Sequence, residues 1–215
     1  VSPVYLASVH VAPEIARQLP DVRLVAILRS PIERVYARFV ARYRDGLERR
    51  SFAEVVRDDL REPLIRDVAF GTYLPAGFCS HVLRTYLDCF PRDRIRIYLF
   101  EDLQRDADAL MTDLFSFLDV DPGHPVDTAV RHNASGGVIG SRATRALWTR
   151  TALPRAAVRR FVPRPLRDRT FALVSRSVVP LPLEPGLRAE LGAVYRDEID
   201  RLGAMLDRDL SHWHA

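Results

Sequence analysis

Arg29 has the setting that lets a guanidinium do chemistry. It follows an unbroken apolar run at residues 24–28 (LVAIL) and directly precedes a helix start, Ser30-Pro31. A forked cation at a strand end, beside the free amides and positive dipole end of a helix, is an anion site. The same pattern is equally compatible with a surface arginine paired to a nearby acid. His10 and His132 are the histidines near segments that could form a site, and either could serve as a base. Neither has metal-ligand spacing to another His, Cys or carboxylate, so no metal is expected. Glu101-Asp102 resembles an acid pair but reads better as the start of a helix.

The elements that must hold these residues can be read from periodicity. Residues 24–28 predict a strand buried on both faces, as in a parallel sheet. Ser30 can cap the following helix, Pro31 suits its first position, and Glu33 completes a capping box with Ser30. Ile32, Val35, Tyr36, Phe39, Val40 and Tyr43 give that helix one apolar face. A short helix from Glu14 to Leu19, opened by Pro13, turns Ile15 and Leu19 inward. Ser51 and Glu54 form a second capping box, and residues 70–77 form a loop near a site. A helix over 78–90 is followed by a second strand at 94–100 (RIRIYLF). One long helix then runs from Glu101-Asp102 to Leu118. Residues 132–142 (HNASGGVIGSR) form a Gly- and Ser-rich loop, 180–185 a linker, and 186–206 the last helix. Such β-α succession predicts a three-layer α/β domain around a parallel sheet, spanning residues 1–215.

Composition narrows the class. The chain has 215 residues, 47% apolar and 28% charged, which is that of a globular domain. No apolar run reaches the roughly 20 residues that cross a bilayer. No secretory leader is visible, and Cys79 and Cys89 read as small apolar residues, so a reducing, cytoplasmic setting is expected. Net charge is +4, and all 32 basic residues are arginine. The arginine-dense stretch 142–176, anchored by Trp148, Phe161 and Phe171, reads first as a solvated basic face and second as a surface for an anionic acceptor or a lipid, and no nucleic-acid partner is expected. Any mechanism that needs a lysine cannot be completed by these residues.

At several points in register the chain resembles the PAPS-dependent sulfotransferases, in the branch with bacterial and Golgi carbohydrate sulfotransferases. Arg29-Ser30-Pro31 with Arg34 and Tyr36 is similar to that family's R-[ND]-P-x-x-R-x-x-S motif. Ser2-Pro3-Val4-Tyr5 is similar to its S-P-x-Y segment, and residues 87–103 (LDCFPRDRIRIYLFEDL) to its strand–helix junction. Residues 133–142 resemble its cofactor loop, and the ending with Trp213 its last helix.

The resemblance implies a P-loop-like nucleotide-binding fold. It implies transfer of a sulfuryl group from 3′-phosphoadenosine 5′-phosphosulfate to a hydroxyl or amine of a carbohydrate, lipid or small molecule, without metal. Arg29 and Ser30 would hold the donor's 3′-phosphate. The loop glycines would let Ser141 and Arg142 close over it. The family's lysine on the leaving phosphate, and its base, belong to a strand–loop–helix that would lie upstream of Val1. His10 is the candidate base within this sequence. The family's serine eight residues after the arginine is Ala37 here, and the lysine often preceding S-P-x-Y is Val1. The alternatives are a non-catalytic nucleotide-binding relative and a magnesium-dependent P-loop kinase-like enzyme.

Overall fold

β1 (Leu24–Leu28) and β2 (Ile95–Leu99) run side by side in parallel, with Leu24 opposite Ile95 and Leu28 opposite Leu99. The structure, a computed structural model, describes residues 5–6, 8–44, 46–64, 72–128, 137–139, 178–180 and 183–214. Parallel neighbours need a long crossover. Here it carries α2 (Pro31–Arg44), α3 (Phe52–Asp59), a 3₁₀ turn at Leu74–Gly77 and α4 (Ser80–Cys89). The α/β class and the parallel sheet expected from the sequence are both present.

The periodicity of α2 explains the core. Ile32, Val35 and Phe39 bury against Leu28, Phe52, Val55, Tyr73 and Leu74. The last helix, α7 (Pro185–Leu206), adds Leu191, Tyr195, Ile199 and Leu202 to the same cluster. Tyr195 is fully buried and donates its hydroxyl to the Leu74 carbonyl at 2.8 Å. A Cβ on Gly77 would lie 2.5 Å from the Tyr195 ring, so only glycine lets the turn approach this closely. The predicted site loop at 70–77 is therefore core where it is described: residues 73–77 are buried. A second cluster joins Ala12 of α1 (Val11–Gln18) to Val82, Tyr86, Phe90 and Ile95.

The Ser51–Glu54 capping box forms. Glu54 N–H donates to Ser51 Oγ at 3.3 Å and Ser51 N–H to Glu54 Oε2 at 2.7 Å. Four other expectations need correction. The helix predicted from Glu14 begins three residues earlier, and Leu19 is 56% exposed past its end. The long helix after β2 is two, α5 (Phe100–Arg105) and α6 (Ala107–Phe117). They break at Asp106, whose carboxylate accepts the Ala109 N–H and caps α6. Glu33 does not return to Ser30, because arginines hold both of its oxygens.

β1 is not buried on both faces. Leu28 is 2% exposed, but Val25 and Ile27 are 42% and 48% exposed. In register they share a face with Arg96 and Tyr98 of β2. On that face α6 bonds to β2, where Asp113 accepts the Tyr98 hydroxyl at 2.7 Å and Arg96 at 3.1 Å. A further element went unread in the sequence. β3 (Gly137–Ile139) and β4 (Val178–Pro180) pair antiparallel, where a loop and a linker start were expected. β3 lies against α2.

Candidate functional site

β1 ends at Leu28, and the chain turns through Arg29 and Ser30 into the first turn of α2. Ser30 is buried at 4% exposure, and its carbonyl accepts the Arg34 N–H at 2.9 Å, the first bond of the helix. β2 ends beside it and passes into α5 at Phe100. Both helix N-termini therefore open at the carboxyl edge of the sheet, where α/β folds place ligands. Leu99 N–H donates to Asp102 Oδ2 at 3.1 Å, so the acid pair Glu101-Asp102 does serve the helix start.

Arg29 spans the two strand ends. Its guanidinium carbon lies 5.0 Å from the centroid of the Phe100 ring, a cation–π contact. Its Nη2 pairs with Glu33 Oε2 at 3.2 Å, one helical turn on. The other Glu33 oxygen, Oε1, accepts from Arg188 Nη2 on α7. The three side chains are about a third exposed, at 30% for Arg29, 33% for Glu33 and 36% for Arg188. Two guanidiniums thus hold one carboxylate between them, beside a helix N-terminus. Both readings of Arg29 left open by the sequence describe part of this arrangement: the arginine has an acid partner, and it still presents donors at a strand end.

The second acid of that junction has a different role. Glu101 Oε1 accepts the indole N–H of Trp213 at 2.9 Å, which anchors the chain's closing turn to α5. Its Oε2 is buried with no hydrogen-bond partner among the described residues. Cys79 sits at the start of α4 in the core, where burial pushes its thiol up to about 11. It is protonated at neutral pH and unsuited to act as a nucleophile.

Of the residues expected at the site, the structure places Arg29 and Ser30 together at the strand end. His10 stands elsewhere, exposed at the start of α1, its backbone N–H donating to Ser8 Oγ at 3.4 Å. Ser141, Arg142 and His132 lie outside the described residues, although β3, from the same stretch, lies against α2. Arg188 was missed in the sequence. It is 155 positions from Glu33, and nothing local marks it. Among the described residues no group of His, Cys, Asp or Glu is placed to hold a metal, and no helix is long and apolar enough to cross a membrane.

No family model matches the chain, and no curated protein matches its sequence. A solved structure does: a sulfotransferase from Alicyclobacillus acidocaldarius superimposes over 100% of this chain with a TM-score of 0.70. The chain has a sulfotransferase fold. Sequence identity between the two is 23%, and the chain spans 66% of the length of that sulfotransferase.

Proposed function

We propose that the chain acts as a PAPS-dependent sulfotransferase, moving a sulfuryl group from the nucleotide donor to a hydroxyl or amine of a carbohydrate, lipid or small molecule. The observation that carries this reading is Arg29 at the carboxyl end of β1, next to the N-terminus of α2, within a sulfotransferase fold. The residues present fit the donor's 3′-phosphate. Arg29 already grips an oxyanion, the Glu33 carboxylate, and the amides of α2 add donors. When bound, the donor supplies the activated sulfuryl group. Arg29 holds the ribose phosphate, Phe100 fixes the guanidinium plane, and Ser30 sets the turn that aims it. Ser141 and Arg142 add a hydroxyl and a charge from the stretch that contains β3.

The lysine that the family sets on the leaving phosphate has no counterpart in this sequence. The absence of lysine and the Ala37 departure favour one second reading, a relative that binds the nucleotide without turnover. Calorimetric titration with adenosine 3′,5′-bisphosphate tests the binding claim. Arg29→Ala is expected to weaken affinity about 30- to 150-fold, the loss of a charged contact of about 2–3 kcal/mol. Equal affinity in both proteins removes the site. Turnover of radiolabelled donor without magnesium separates the transferase from the binding relative and from a kinase-like enzyme.

A further inference from the structure

Glu33 poses a problem for any anion that approaches Arg29. A carboxylate 3.2 Å from the guanidinium competes for its donors and repels an arriving phosphate. The arrangement also contains the remedy. Glu33 Oε1 is held by Arg188, which comes from α7 and not from the strand or its helix. We propose that Arg188 is a positioning residue: it keeps the Glu33 carboxylate occupied and neutralised, so that Arg29 can exchange its acid partner for a phosphate group. This deepens the proposed function and rests on Arg29 being the phosphate ligand.

The physical sequence is short. In the structure Glu33 bridges the two arginines, one oxygen to each. An incoming phosphate carries more charge than a carboxylate and accepts from both the guanidinium and the α2 amides, so it wins Arg29. Glu33 then keeps only Arg188. Its charge stays paired, and the repulsion between carboxylate and phosphate is screened from the side of α7. Without Arg188 the same exchange strands Glu33 beside a polyanion with no cation of its own. The stack of Arg29 on Phe100 holds the guanidinium at the strand end throughout. The device works by removing a competitor, so its effect depends wholly on the carboxylate.

That dependence gives the test. Adenosine 3′,5′-bisphosphate is titrated calorimetrically into wild type, Arg188→Ala, Glu33→Gln and the double variant, with melting curves confirming that each folds. The expected result is a Kd about tenfold weaker for Arg188→Ala, somewhat tighter than wild type for Glu33→Gln, and restored to within about threefold of Glu33→Gln in the double variant. An unchanged Kd in Arg188→Ala overturns the inference. So does a double variant as weak as Arg188→Ala, because Arg188 would then act without Glu33. Failure of the underlying reading looks different: Arg29→Ala binds as wild type does, or wild type takes up no bisphosphate.

Discussion

Glu48 shows how much a single side chain holds together away from the site. It is 8% exposed, and its carboxylate accepts from the Arg50 side chain, the Arg49 and Arg50 amides and the Tyr73 hydroxyl. Arg42 Nε also donates to that hydroxyl, at 3.0 Å. The Arg50 guanidinium, above all, lowers the Glu48 carboxyl to about 2, against burial that opposes ionisation. The folded value lies below the unfolded one, so the contribution is complete above about pH 4.5 and fades as pH falls toward 2. Glu48→Gln is expected to lose about 2–3 kcal/mol at pH 7 in urea denaturation. The gap to wild type should close between pH 4.5 and 2. Residue-scale legibility was uneven. The position of Arg29 could be read because its cues are adjacent in the chain, a strand end and a helix start. Its partner Arg188 and the Glu101–Trp213 bond could not, since only tertiary packing brings residues so far apart in sequence together.

At the scale of elements, α4 is held by a carboxylate that it does not own. Glu198 of α7, 1% exposed, accepts the Cys79 amide at 2.8 Å, the Ser80 amide at 2.7 Å and the Ser80 hydroxyl at 2.6 Å. The N-terminus of one helix is thus capped by the middle of another, which places negative charge at the positive dipole end. Glu198→Ala leaves those three donors buried without acceptors, and a loss of about 3–5 kcal/mol is expected in denaturant unfolding. The sequence put position 198 on a helix without hinting that the acid points inward. Strand β1 taught the opposite lesson. Five consecutive apolar residues predicted burial on both faces, yet only one face is covered by the described elements. Leu28→Ala should therefore cost about 2–5 kcal/mol, whereas Ile27→Thr, half in water already, should cost under about 1 kcal/mol. Comparable losses in the two variants would show that Ile27 is packed after all. Helix boundaries were legible where caps are local, as at Ser51. They failed at Asp106, where a residue that suits a helix interior poorly caps a second helix instead.

The whole molecule resolves into a paired-strand edge with its cation cluster, a helical core built on α2 and α7, and a closing turn tied back to that edge. Fold class was legible because β-α alternation and amphipathic spacing are properties of the entire chain. The ribbon of β3 and β4 was not, because its strands are three residues each and begin 41 positions apart. The tie itself, Trp213, is 2% exposed and bonded to Glu101, the neighbour of the ring beneath Arg29. This makes the molecule its own optical instrument. Trp148→Phe leaves Trp213 as the sole indole emitter. Its fluorescence spectrum should shift as adenosine 3′,5′-bisphosphate saturates the cluster, and stay constant when Arg29 is replaced by alanine.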